Sequence, residues 1–176
     1  MISSESIRLR PEGPGDHGAI DSVVEAAFEA TFGSATEVAL VRSMRERDEL
    51  VADLTLVATR GEDVVGYVAF SEVTLDGRRA DGLGLAPVAV APTEQRYGIG
   101  TLLIEDGLQR AERAGWRFVV LLGHPEYYPR FGFRPAAPCG LVGDYGEGDG
   151  WMARPLAGAP LPMGHVRYCS SFRLQG

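Results

Sequence analysis

The sequence contains no lysine, so all 17 of its basic residues are arginines. A phosphate-binding P-loop needs a lysine after its glycines, and this class of nucleotide site is therefore excluded. Acidic residues number 24, which gives a formal net charge of -7. Because an acidic surface repels phosphate backbones, we do not expect a nucleic-acid partner. The same charge favours cationic substrates such as amines.

Cysteine and histidine are also scarce. The two cysteines form no CxxC pair, and the three histidines have no metal-ligand spacing. We therefore expect no metal site and a reduced compartment. No apolar run approaches the roughly 18–20 residues that span a bilayer, and residues 1–6 lack the features of a signal peptide. The expectation is a cytoplasmic protein with no membrane partner.

The composition is that of a globular protein, with 45% hydrophobic and 23% charged residues over 176 positions. That length suits one domain with a sizeable core. We expect a single domain over residues 1–176, with a flexible tail at 1–6. The Gly/Pro-rich part at 135–176 is expected to belong to the same domain, as a long loop with short strands near 151–154 and 165–168.

Hydrophobic spacing predicts an α/β protein. A short strand at 7–10 precedes a helix capped by Asp16 and ended by Gly33. A second helix is predicted at 35–47, and 54–59 with 64–73 reads as a hairpin.

The following segments, a strand at 84–91, a helix at 98–114 and a buried strand at 116–122, form a βαβ unit. This unit predicts a parallel pair between residues 85–90 and 118–122. Pro87 has no N–H to donate to a neighbouring strand, so we expect this strand to part from its neighbour there. The backbone after Pro87 is then free to bind something other than protein.

The turn before the third helix carries the chemistry. The spacing Gln95-x-x-Gly98-x-Gly100 follows a strand and opens an amphipathic helix. The first N–H groups of a helix lack internal partners and carry partial positive charge, so this arrangement predicts a phosphate site. Glycines there also suit a simple helix start or close helix–sheet packing. A Rossmann turn is set aside, because Leu103 stands at the third glycine position.

This turn resembles the Q/R-x-x-G-x-G/A signature of the GNAT superfamily of N-acetyltransferases. A second element, at residues 126–133, is similar to the tyrosine-x-x-x-Gly-Phe element that follows the fifth strand in that family. The chain also resembles a bacterial subgroup of N-acetyltransferases through residues 84–90, 122–133 and 164–168. In that subgroup the position of His124 is often an acid.

The resemblance implies the GNAT fold: a mixed, mostly antiparallel sheet, splayed between strands 4 and 5, with helices on both faces. It implies acetyl-CoA as co-substrate, with the pyrophosphate on the backbone around Arg96, Tyr97, Gly98, Ile99, Gly100 and Thr101. The pantetheine arm would pair with Val88 and Val90, beside Ala89, and His124 would touch coenzyme A, touch substrate or cap the next helix.

The resemblance also implies chemistry by direct transfer to an amine in a ternary complex. Tyr128 matches the tyrosine that protonates the leaving thiolate, although it could simply pack the short helix against the sheet. Glu72 is a possible base and Asp81 another, and either could be a solvated surface carboxylate.

The acceptor is expected to be a small-molecule or protein amine, bound by the first two helices, the 76–81 loop and the 140–150 stretch. A homodimer is a further expectation. Two alternatives stay open: a non-catalytic coenzyme A-binding module, and a transferase for a longer acyl group.

Overall fold

A computed structural model describes residues 6–33, 36–145 and 148–174 of the chain. Its strands, in chain order, are β1 (Ile7–Pro11), β2 (Leu56–Arg60), β3 (Asp63–Leu75), β4 (Arg78–Val90), β5 (Phe118–Leu122), β6 (Arg134–Pro135), β7 (Leu141–Gly143), β8 (Trp151–Pro155) and β9 (Gly164–Arg167). The helices are α1 (His17–Phe32), α2 (Thr36–Glu46), α3 (Ile99–Arg113) and α4 (Ser170–Arg173).

All nine strands described join one mixed sheet. Seven of them follow the order β1-β2-β3-β4-β5-β8-β6, and β7 and β9 lie off this path. The long β3–β4 hairpin forms its centre and is antiparallel. Strand β9 pairs with the far end of β3 and also with β7, which brings the C-terminal part of the chain beside the central hairpin. The predicted fold class is therefore confirmed: the sheet is mostly antiparallel, and β4 and β5 are parallel.

The pairing of β4 with β5 stops early. It covers only Gly82–Gly84 on β4, whereas β4 continues to Val90 on the β3 side. Pro87 lies in this continuation and cannot donate to a ladder. The two strands thus splay beyond Gly84, and one edge of β4 is free of β5 over its last residues.

Helices cover both faces of the sheet. Helix α3 packs against Val68, Phe70 and Leu85 on one face. Helices α1 and α2 pack against Tyr67 and Ala69 on the other. The gap between β4 and β5 connects these two faces of the sheet, and it therefore positions the candidate site.

Most predicted segments correspond to observed elements, with two differences. Strand β4 begins at Arg78 rather than 84, since the turn at Asp76–Gly77 leads directly into it, and its pairing with β5 precedes the expected stretch at 85–90. The Gly/Pro-rich part at 135–176 holds β7 and the short helix α4 in addition to the expected strands β8 and β9. The predictions for residues 1–5 of the tail and for residue 35 lie outside the described residues.

Asp16 stands at the predicted N-cap of α1 but does not bond to a helix N–H. Its carboxylate instead accepts from the Gly13 N–H at 2.7 Å and pairs with Arg10. The side chain therefore fixes the turn before the helix. Of the helices described, none combines the length and the apolar character that a membrane crossing requires.

Candidate active site

The splayed ends of β4 and β5 open into a cleft of about 720 Å³. On one side it is lined by Gly100 of α3 and by the last residues of β4, and on the other by α1, α2 and the C-terminal segment. It therefore passes from the α3 face of the sheet to the α1 face. One half meets a helix N-terminus, and the other half meets a group of aromatic side chains.

The turn into α3 leaves backbone N–H groups open at the cleft. Arg96 and Gly98 both have positive φ, at 70° and 84°, and the strained turn delivers the chain into the helix at Ile99. The N–H of Leu102 bonds to the Gly98 carbonyl at 3.0 Å, so the N–H groups of Ile99, Gly100 and Thr101 precede the intrahelical ladder. This is the geometry that favours a phosphate.

Gly100 is the residue of α3 that lines the cleft. A Cβ atom there would lie 3.6 Å from Cγ2 of Val90 and 3.7 Å from the hydroxyl of Tyr127. These are ordinary contacts, so a small side chain fits the bare protein but fills the space next to the helix N-terminus. The absence of a side chain at Gly100 therefore leaves room for a ligand.

The other predicted residues of this turn have different positions. Gln95 lines the cleft, and its side-chain N–H donates to the Val90 carbonyl at 3.0 Å, which ties the turn to the end of β4. The Tyr97 side chain is 68% exposed, whereas that of Ile99 is buried in the core. Ile99 thus offers only its backbone to a ligand.

The free edge of β4 forms the floor of the cleft. Val88, Ala89 and Val90 all line it, although Ala89 directs its side chain into the core between the sheet and α1. An extended ligand with amide groups fits such a strand edge, as a neighbouring strand would.

Tyr128 reaches the cleft from a 3-10 turn at Tyr128–Phe131, after β5. Its ring packs edge-on against Tyr127 at 5.1 Å and Phe133 at 5.9 Å between centroids. Burial raises the pKa of the Tyr128 phenol to about 12, with a smaller contribution from Tyr127. The phenol therefore keeps its proton over the whole range of neutral and moderately alkaline pH.

His124 lines the same half of the cleft, and its side chain is exposed. The His124 carbonyl accepts the N–H groups of Tyr127 at 3.1 Å and Tyr128 at 3.3 Å. Its backbone thus caps the turn that carries both tyrosines.

The two carboxylates considered as bases lie elsewhere. Glu72 pairs with Leu83 in the lower part of the hairpin and forms an ion pair with Arg79 at 2.8 Å. Asp81 pairs with the same arginine at 3.5 Å. Neither is among the described residues that line the cleft, and the 76–81 loop lines a separate hollow at the opposite end of β4. The geometry gives no support to Glu72 as the base.

Glu37 is the carboxylate that the cleft does contain, the only one among its described lining residues. It lies in the first turn of α2 and accepts a hydrogen bond from the Thr36 hydroxyl at 3.2 Å. Nothing in the sequence marks Glu37 as a residue of the cleft, because an acid in the first turn of a helix is common.

The α1 face of the cleft is aromatic. Phe28 and Phe32 of α1 stack at 5.7 Å between centroids. On the C-terminal segment, Tyr168 contacts Phe172 at 4.5 Å and Tyr145 at 5.7 Å between centroids. All five side chains line the cleft. They come from distant parts of the sequence, and no local pattern in the sequence indicates that they meet.

The C-terminal side of this half is fixed by Glu49. Its carboxylate accepts the N–H groups of Ser170 at 3.0 Å and Ser171 at 3.1 Å, and the Ser170 hydroxyl as well. These bonds hold the start of α4, and with it Phe172, against the end of α2. They keep the pKa of Glu49 near 2, despite the opposing effect of burial.

Cysteine is absent from the described lining of the cleft. Burial and the neighbouring Glu49 raise the pKa of the Cys169 thiol to about 12, so this thiol is not a ready nucleophile. Within the described ranges, no three His, Cys, Asp or Glu side chains are grouped closely enough to hold a metal ion.

Comparisons with known proteins agree with this geometry. The family model described as an acetyltransferase (GNAT) domain matches residues 10–136. YhbS of Escherichia coli (strain K12), described as an uncharacterized N-acetyltransferase, is 40% identical over 130 residues, which cover 73% of this chain and 74% of that protein.

Two solved structures share the fold over nearly the whole chain. A GNAT family acetyltransferase from Brucella melitensis, in complex with acetyl-CoA, has a TM-score of 0.82 and 34% identity, covering 96% of this chain and 99% of its own. The structure of Escherichia coli YhbS in complex with CoA has a TM-score of 0.85 and 32% identity, covering 98% and 95%. The chain therefore belongs to the GNAT superfamily of acetyltransferases and is an acyl-CoA N-acyltransferase.

Proposed function

We propose that the chain transfers the acetyl group of acetyl-CoA directly to a primary amine within a ternary complex. One observation carries the proposal: the open N-terminus of α3 and the free edge of β4 face the same cleft, and Tyr128 lies beside them. The relatives bound to acetyl-CoA and to CoA support the choice of co-substrate.

The pyrophosphate would bind the N–H groups of Ile99, Gly100 and Thr101, where the helix dipole favours negative charge. Arg96 and Tyr97, at the exposed rim of the turn, would meet the nucleotide end. The pantetheine arm would run along Val88 and Val90 as an added strand, and it would bring the thioester to the splay between β4 and β5.

In the transfer step, the neutral amine attacks the thioester carbonyl carbon. A C–N bond forms, and the C–S bond breaks. The Tyr128 phenol gives its proton to the departing thiolate, and the extra proton on nitrogen leaves through water. The Tyr128 phenolate then takes a proton back from water, which restores the enzyme. The products are an acetamide and the free thiol of coenzyme A. No covalent acetyl-enzyme is required, which agrees with the protonated state of Cys169.

The phenol and the thiolate are unequal in basicity. A Tyr128 pKa near 12 makes the phenol a weaker acid than free tyrosine, whereas a thiol has an ordinary pKa of about 8.5. Complete proton transfer from this phenol to the thiolate is therefore uphill, whereas a hydrogen bond from the phenol stabilises the negative charge that develops on sulfur. Tyr128 would then act mainly in the transition state, by hydrogen-bonding to that charge.

Initial-rate kinetics tests the proposal. Thiol release is followed while acetyl-CoA and an amine from a mixed panel are both varied, and acetyl-CoA binding is measured separately by calorimetry. Intersecting double-reciprocal lines are expected, without an acetylated protein in the intact mass. Parallel lines with an acetylated protein would overturn direct transfer. Binding of acetyl-CoA without turnover of any amine would favour the non-catalytic module. The homodimer stays a prediction, which sedimentation would test.

A further inference from the structure

We infer that the acceptor is a primary amine carried on an aromatic group, without a carboxylate near the amine, and that Glu37 binds its ammonium form. This inference rests on the proposed function, because it concerns the second half of the same cleft. Three features support it: the two aromatic walls, the single described carboxylate, and the absence of arginine from the described lining.

Two groups of aromatic side chains, here called the two walls, line the α1 half of the cleft. Phe28 and Phe32 stand on α1, and Tyr145, Tyr168 and Phe172 stand on the C-terminal segment. Phe32 remains 60% exposed and Tyr145 37% exposed, so both have apolar surface that a ligand can cover. A flat ring that lies against such walls makes stacking and edge contacts and also buries apolar area.

The carboxylate of Glu37 favours an acceptor that carries a positive charge. Glu37, in the first turn of α2, is half-buried and lies in the same cleft as Phe28 and Phe32. A carboxylate in an apolar cleft attracts an ammonium ion, and the aromatic faces add a cation–π attraction. The amine then loses its proton to water before it attacks the thioester.

The same charges exclude other amines. Because no arginine lines the described cleft, the carboxylate of an amino acid would lie near Glu37 without a guanidinium partner. Such like-charge contact is costly. A long aliphatic polyamine has no ring to stack on the aromatic walls, and only one of its ammonium ions can pair with the single carboxylate of the described lining.

Matched substrates test the inference. Phenethylamine, phenylalanine, ethylamine and putrescine are compared at saturating acetyl-CoA. Phenethylamine is expected to have the highest kcat/KM, about 100-fold or more above phenylalanine and about 10–100-fold above ethylamine. Binding of acetyl-CoA together with a higher kcat/KM for phenylalanine or putrescine, or with no turnover of phenethylamine, would overturn the inference. Failure of acetyl-CoA to bind would instead reject the proposed function.

Variants separate the contribution of the Glu37 charge from that of the aromatic side chains. Glu37→Gln is expected to raise the KM for phenethylamine by about 10–100-fold, with the acetyl-CoA affinity unchanged. Phe32→Ala should raise the KM for phenethylamine but not for ethylamine. Glu46→Gln, at the exposed end of α2, and Met163→Ala, at an exposed position outside the cleft, are the matched controls.

A purely structural role for Glu37, as an acid at the start of α2, predicts a different result. The Gln variant would then have a lower Tm and an unchanged KM for phenethylamine, and this result would overturn the assignment of Glu37. Glu37→Asp keeps the charge and should restore part of the lost affinity. Equal KM values for the Asp and Gln variants would contradict an ammonium contact.

Discussion

The ring of Tyr128 packs directly over Gly123, so closely that a methyl group at position 123 would overlap the Cδ2 and Cε2 side of the ring. Gly123 is the first residue after β5, and the 3-10 turn that carries Tyr128 folds back over it. The position of the phenol in the cleft therefore depends on a glycine at the end of the strand.

Gly123→Ala should displace the Tyr128 ring. We expect kcat to fall by about 10–100-fold, because a misplacement on the order of 1 Å at a reacting group is costly. The free energy of unfolding should fall by about 1–3 kcal/mol from overpacking. Steady-state kinetics and urea unfolding measure the two effects. Gly18→Ala, at an open position in α1, is the control. Lost stability with an unchanged kcat would mean that the ring only fills space.

Tyr128→Phe keeps the ring and removes the proton donor. The turnover rate is expected to fall by about 10²–10⁴-fold, the usual contribution of a general acid, with little change in acetyl-CoA affinity. Because the Tyr128 pKa is near 12, the wild-type rate should show no loss from ionisation of this phenol up to about pH 10. Full activity of the Phe variant across the pH range would end the role of Tyr128 as the acid.

The half of the cleft proposed to bind the coenzyme could be predicted from the sequence because its parts are close along the chain. Gln95, Gly98 and Gly100 lie in one turn, and Pro87 marks the splay that precedes it by a few residues. Local rules about helix N-termini and proline therefore suffice. The position of Tyr128 follows from a short element that is characteristic of the family.

The aromatic half could not be predicted, because long-range pairing brings it together. Tyr168 reaches the cleft because β9 pairs with the end of β3, where Thr74 faces Arg167. Strand β7, which joins this arrangement, has only three residues in a Gly-rich stretch and carries no clear alternation. For the same reason, position on a strand does not tell whether Glu72 faces the cleft, and Glu72 is outside the lining that the structure describes.

Gly100→Glu tests the phosphate site. A Cβ at position 100 meets only ordinary contacts, so the folded state should survive. The added carboxylate lies where the pyrophosphate should bind, and acetyl-CoA affinity should fall by at least about 100-fold from steric overlap and charge repulsion. Calorimetry measures the affinity, and circular dichroism checks the fold. Gln109→Glu adds the same charge to the exposed face of α3 as a control. Unchanged affinity in a folded Gly100→Glu variant would remove the assignment.

We expect the attachment of α4, which carries Phe172, to depend on pH through Glu49. The ordinary pKa of this group is 4.5, and its hydrogen bonds to Ser170 and Ser171 lower the folded-state pKa to about 2. A depressed carboxyl pKa contributes stability that is complete above about pH 4.5 and is lost as the pH falls toward 2. Glu49→Gln should lower the free energy of unfolding by about 1.5–3 kcal/mol at pH 7, the usual value for hydrogen bonds to a charged group.

The difference between wild type and Glu49→Gln should shrink as the pH falls through that window, since the wild type loses the charge that the variant already lacks. Urea unfolding at pH 7, 4 and 3 measures the difference. Arg10 also holds the pKa of Asp16 near 2, so Asp16 adds the same pH dependence to the free energy of unfolding of both proteins. Its effect therefore cancels in the comparison. Glu46→Gln, at the exposed end of α2, should show no such difference at any pH. A constant gap between wild type and Glu49→Gln from pH 7 to pH 3 would show that the Glu49 charge does not hold α4.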